Sequence, residues 1–231
     1  MKSFIIVMAL LASTSLLAQN VQLHYDFGED RGYFTSTVEM FKPDKWGSTF
    51  YFIDMDYGIT DDLKGVNMAY FEIARGLKFW DTPFEIHIEY NGGFGQYEAV
   101  PHTGAYQIND AWLFGGHYTF ASEDFSKTLT IQAMYKYIRE IEDLSYQLTA
   151  VWNLNYFNGK VTFAGFADFW KEPVDFDFDG KPEADFIFLA EPQLWYNFTS
   201  NLSAGTEVEF ANNFVKEGFQ VNPTLGVKWT F

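Results

Sequence analysis

The last thirteen residues read FQVNPTLGVKWTF, Phe219 to Phe231, and they alternate without a break. Phe219, Val221, Pro223, Leu225, Val227, Trp229 and Phe231 are apolar, and every residue between them is polar or small. Successive side chains of a strand point to opposite faces of its sheet, so such a chain makes a strand whose two faces meet different surroundings. A soluble barrel turns the apolar face inward, whereas a membrane barrel turns it outward against lipid. That choice governs everything else that can be said of the chain.

Composition narrows it. One residue in five is aromatic, with 26 Phe, and Gly is common at 18. This suits a barrel facing lipid better than a soluble domain. The formal charge is −16 and the pI about 4.5, which excludes nucleic acid as a partner because no basic patch exists to neutralise phosphates. Cysteine is absent, so there is no lipoprotein attachment site, disulfide or thiolate chemistry. The N-terminus MKSFIIVMALLASTSLLAQN reads as a secretory signal. Lys2 supplies its positive end and Phe4–Leu11 its apolar core, with a cut after Ala18. Residues 1–18 are thus expected to be removed, leaving 19–231 as one domain. No later segment has the length and apolarity of a transmembrane helix.

Period two and turn signals divide the chain into twelve segments: Val21–Phe27, Tyr33–Phe41, Ser48–Gly58, Val66–Phe79, Pro83–Phe94, Ile108–Phe120, Lys127–Ile138, Leu144–Phe157, Lys160–Glu172, Ala184–Phe198, Leu202–Phe214 and Phe219–Phe231. Twelve is even, so both chain ends fall on one side. The connections alternate between short, as at Asn158–Gly159, and long, as at Gly95–Gln107 and Pro173–Glu183. Short periplasmic turns and longer outer loops mark membrane barrels. The polar faces carry nearly all the charge, from Asp26 and Glu39 to Glu207 and Glu209; the apolar faces carry only Arg75, Asp110 and Lys171. Aromatic residues gather on the apolar faces near both strand ends, Phe79, Phe84, Tyr118, Phe120 and Trp229 at one rim and Tyr25, Tyr90 and Tyr137 at the other. Two aromatic belts around an aliphatic band are what lipid requires. The expected fold is all-β: an up-and-down antiparallel transmembrane β-barrel of about twelve strands. Its place is the outer membrane of a Gram-negative bacterium, among outer-membrane lipid.

The stretches NVQLHYDFG, YFTSTVEMFKPDKWGSTFYFIDMDYG, YFEIARGLKFW, IHIEYNGG, FAGFADFW and LAEPQLWYNF together resemble a family of uncharacterised Gram-negative outer-membrane proteins, a domain of unknown function. That family is in turn similar to Tsx, the nucleoside-specific channel-forming proteins, chiefly in VEMF…FYFIDMDYG, FEI and GFADF. The resemblance implies a twelve-stranded barrel with a narrow pore passing nucleosides. A C-terminal Phe after alternating apolar residues also resembles the signal that bacterial barrels present to their assembly machinery.

The lumen holds the candidate site. Phe50 and Phe52 share the inward face of their strand with Asp54 and Asp56, as Phe166 does with Asp168. Glu72, Glu89, Glu191 and Trp195 complete the set. A nucleoside stacks its base on aromatic rings and donates ribose hydroxyls to carboxylates, while an acidic lumen disfavours anions. The plainer reading is that these are solvated, mutually hydrogen-bonded lining residues. Arg75 falls on the lipid-facing parity, where a midplane Arg costs about 2–4 kcal/mol. A bulge at Ala74–Gly76 is therefore expected to turn it inward. Asp175, Asp177, Asp179 and Gly180 match the first half of an EF-hand loop, but position twelve is Phe186. At most a weak divalent-cation site is expected there, with no required cofactor or metal. His24, His87, His102 and His117 show no metal-ligand spacing.

Three functions remain. The preferred one is a channel for small neutral solutes, nucleosides first. The second is a sealed or plugged barrel with a structural or surface-binding role. The least favoured is an outer-membrane lipid hydrolase, for which no His–Ser pairing is visible; no enzyme is expected.

Overall fold

A computed structural model describes residues 18–58, 65–99, 102–177 and 179–231, so all but the end of the expected signal lies outside it. The described elements are all strands: β1 (Ala18–Asp26), β2 (Phe34–Asp44), β3 (Gly47–Tyr57), β4 (Val66–Leu77), β5 (Phe84–Ala99), β6 (His102–Ala121), β7 (Lys127–Ile138), β8 (Ser145–Tyr156), β9 (Val161–Val174), β10 (Ala184–Ala190), β11 (Gln193–Asn197), β12 (Leu202–Asn212) and β13 (Phe219–Thr230). All pairings are antiparallel; consecutive strands pair except β10 with β11, which both pair with β9 and β12, and β1 closes the ring on β13 through Asn20↔Thr230 to Asp26↔Thr224. β10 and β11 form a single stave. Ala190 faces Ala167 and Gln193 faces Ala164 on one side, and Phe210 and Glu207 on the other, so neither register slips across the break. Pro192 interrupts the ladder because it has no N–H to give. The result is a closed barrel of twelve antiparallel staves, as the alternation predicts. Closure leaves no row of unpaired backbone groups, which hydrocarbon would not tolerate.

The apolar face points outward. Ile73, Leu225, Val227 and Trp229 are all about half exposed or more, as are many aliphatic and aromatic neighbours on the same parity, while inward Gln22 and His24 are buried. This is the reverse of a soluble barrel. At the rims Trp80 lies parallel to Phe84 and its Nε1 donates to the Phe84 carbonyl at 2.7 Å. The β8–β9 turn is tight because Phe157, Asn158 and Gly159 all take positive φ, the last two being residues that tolerate it.

Two expectations fail. Gly95–Gln107 is not a loop: β5 and β6, at 16 and 20 residues, stay paired out to Ala99↔His102. Some 9–11 residues suffice to cross a membrane, so this hairpin projects beyond it. Gly-rich composition suggested a loop, but glycines here relieve crowding, since a Cβ on Gly95 would lie 2.3 Å from the Tyr106 ring. Nor is there a bulge at Ala74–Gly76. Arg75 faces Thr49 and Ile88 in unshifted register and stays on the outer face. It sits at the rim formed by the β2–β3 and β4–β5 connections, where Asp44 takes both guanidinium ends at 2.8 and 2.9 Å and Thr49 accepts a third bond at 2.8 Å. A counter-charge at the end of β2 removes the need to turn inward.

Candidate functional site

Twelve staves spaced about 4.8 Å apart and tilted about 40° enclose a backbone cylinder roughly 24 Å across. Large side chains reaching in from both walls leave little of that width. Glu191 on one wall lies within electrostatic reach of Asp54 on β3, five staves away, and of Glu207 and Asp168. Glu72 on β4 is likewise within reach of Asp168 on β9, again five staves round, and of Glu89 and Lys136. Carboxylates from opposite walls therefore converge in an acidic constriction.

Each expected site residue sits on the inward face, and most have partners. The Phe50 and Phe52 rings lie 6.1 Å apart, and Tyr70 on β4 continues the row 6.0 Å from Phe52. Tyr70 then donates its hydroxyl to Glu72 at 2.9 Å. Thr37 and Thr35 on β2 donate to Asp54 and Asp56, and Thr149 donates to Asp168. Lys136 donates to Gln147 at 3.0 Å and sits 4.3 Å over the Trp170 ring. Phe166 packs beside an inward cluster of Trp170, Ile187, Leu189 and Ala211. Trp195 differs from the rest: it is 0% exposed. Its Nε1 donates to Gln193 at 2.8 Å, Lys228 lies 4.2 Å over its ring, and His24 meets it edge-on at 5.5 Å. It therefore packs the wall and shows no free face to a solute.

Several features escaped period-two reading. An apolar cluster of Ala111, Leu113, Met134 and Ile138, with Leu113 at 0% exposure, fills part of the lumen at β6 and β7. At the outer mouth Arg31 folds in from the β1–β2 connection to reach Asp26 at 2.9 Å and Glu209 at 2.8 Å. Near the same rim as Arg75, His87 and His117 meet Nδ1 to Nδ1 at 3.1 Å although 30 residues separate them. Hairpin register brings them together, since Glu85 pairs with His117 and lies two residues from His87. That pairing was the signal to use. Ser48 donates to Glu85 at 2.7 Å rather than to an imidazole, so this cluster does not supply an activated nucleophile. In the outer β9–β10 loop, carboxylate oxygens of Asp175, Asp177, Asp179 and Glu183 lie within 4.8 Å of one another. Backbone N–H groups already occupy them, Gly180 on Asp175 at 2.7 Å and Phe176 on Glu183 at 2.7 Å.

A family model described as a domain of unknown function, DUF5020, matches residues 18–231. No curated protein matches the chain. Among solved structures it is similar to the NanC porin, at 12% identity and TM-score 0.57 over 93% of this chain and 100% of that one. It is also similar to the KdgM porin, at 12% identity and TM-score 0.50 over 93% and 99%, and to KdgM in complex with disordered oligogalacturonate, at TM-score 0.51. At such identities the likeness is one of fold, and the fold is that of porin barrels.

Proposed function

The chain belongs to the DUF5020 family, and from that premise and the chemistry of its lumen we propose that it is an outer-membrane channel for small neutral solutes, nucleosides foremost. The observation that carries this reading is the row of Phe50, Phe52 and Tyr70 rings leading to Glu72 and the opposed carboxylates. Rings offer stacking to a flat base, and the acids accept from ribose hydroxyls. Several loose stations in series allow release as well as entry. The porin-like neighbours support a channel without fixing its cargo. Oligogalacturonate, the ligand named for one of them, is a polyanion, and the acids here would repel it. In this reading the outer face meets outer-membrane lipid, and Phe219–Phe231 is what the barrel-assembly machinery engages.

Full burial of Leu113 and Trp195 favours a second reading, a barrel sealed by its own side chains with a structural or surface-binding role. Uptake by proteoliposomes separates the two, using labelled nucleosides beside sugars and amino acids of equal size. Selective nucleoside entry that falls on Phe50→Ala or Phe52→Ala supports the channel. Entry of all solutes alike removes the stacking argument, and no entry overturns the channel.

A further inference from the structure

We propose that His87 and His117 form a luminal binding station for a divalent transition-metal ion such as Zn²⁺ or Cu²⁺, coordinated through both Nδ1 atoms. The two nitrogens are 3.1 Å apart, with the rings inclined at 75°. With metal–nitrogen bonds of about 2.05 Å, that separation gives an N–metal–N angle of about 98°, between the octahedral and tetrahedral values. Each far nitrogen already faces a carboxylate. His87 Nε2 lies 2.7 Å from Glu89, and His117 Nε2 lies 3.4 Å from Glu85. Metal-binding histidines characteristically donate their second N–H to a carboxylate, which fixes the tautomer and strengthens the ligand. Here both histidines have that partner before any metal arrives.

Proton counting points the same way. With His87 donating to Glu89, its Nδ1 is a lone pair, and His117 must donate from Nδ1 to meet it. A neutral His117 then turns a second lone pair toward Glu85, so every contact is satisfied only when the cluster holds one extra proton. A cation between the two Nδ1 atoms takes the place of that proton. Both rings then donate from Nε2, to Glu89 and Glu85, and one proton leaves. Two imidazoles leave the remaining coordination positions to water or to a passing ligand, as suits an ion that must also depart. Around the pair, Ser48 donates to Glu85 at 2.7 Å, the charge of Lys78 acts on Glu85, and the neutral Gln132 pairs with His117 across β6 and β7. The two carboxylates offset the charge of the ion, and the acidic constriction beyond them concentrates cations from solution. Residue type and spacing along the chain hid this pair, and the β5–β6 register creates it.

The station goes beyond the solute reading and stands whether or not nucleosides pass, because it is read by binding rather than transport. The purified barrel in detergent is titrated with ZnCl₂ by calorimetry and with CuCl₂ by electron paramagnetic resonance. One site per barrel is expected, with two nitrogen couplings in the copper spectrum. His87→Asn and His117→Asn should each weaken binding at least tenfold, and Glu89→Gln by about tenfold, as partners of metal-bound histidines do. Asp175→Asn/Asp179→Asn tests the outer loop and should leave the site unchanged. Heat-modified gel mobility confirms that each variant is a folded barrel. An all-oxygen copper spectrum, or zinc affinity unaltered in the His87→Asn/His117→Asn double variant, overturns the proposal. Loss of binding in the loop variant alone would move the site to the loop and equally overturn it.

Discussion

Trp195 is the place to test how far the lumen is filled. Replacing it with alanine removes an indole that is 0% exposed and held by Gln193, Lys228 and His24. Aromatic side chains bury about 150–250 Å² each, and at about 25 cal/mol/Å² the lost burial is at most roughly 4–6 kcal/mol. Measured truncations of buried aromatics cost about 3–5 kcal/mol. The hole has polar partners that hold water, which recovers part of the loss, so about 3 kcal/mol is expected. Trp195→Phe keeps the ring and forfeits the N–H bond to Gln193, at about 1 kcal/mol. Urea unfolding of the barrel refolded into lipid vesicles measures both. A loss under about 0.5 kcal/mol for the alanine variant would refute the reasoning, since it would mean that water already surrounds the indole. The same protein in a planar bilayer supplies the functional half. A rise in conductance identifies Trp195 as part of the narrowest section. Full destabilisation with unchanged conductance places the block at the Leu113 or Ile187 clusters and favours the sealed barrel.

Two smaller predictions concern the rim that holds Arg75. A double-mutant cycle on Arg75→Ala and Asp44→Ala should give a small favourable coupling that falls with salt, because the bidentate pair is solvated; zero coupling would mean that Arg75 is held by Thr49 alone. Hydrogen bonds from the Ser122 and Ser126 hydroxyls and the Ser126 N–H hold the Asp124 carboxyl down at about 2. Its folded value lies below the unfolded one, so the turn's contribution is present above about pH 4 and is lost as pH falls through about 2. Carboxyl-carbon NMR should show Asp124 still ionised at pH 3, and Ser122→Ala should raise its titration point.

Tyr70 and Arg75 illustrate the limits of reading one face at a time. Arg75 was expected to turn inward and does not, and only the neighbouring staves reveal that Tyr70 extends the Phe50–Phe52 row and that Asp44 on β2 answers the Arg75 charge. The Arg75 bulge was inferred from an energetic cost that applies at the bilayer midplane and not at the rim. The loop at Gly95–Gln107 was inferred from glycines that instead make room for Tyr97 and Tyr106. Inward Leu113, Met134, Ile187 and Leu189 gather into clusters only through the register of neighbouring staves.

By itself the sequence determined the barrel: period-two alternation is a local property of consecutive residues, and twelve such segments with aromatic ends and an apolar outer parity admit one closed arrangement in lipid. It also determined the sign of the lumen, because charge sorts by parity. What the tertiary structure decided is every meeting between staves. His87 with His117 and Lys228 over Trp195 depend on register and curvature, which bring residues from distant segments within a few ångströms, and no spacing along one strand encodes that.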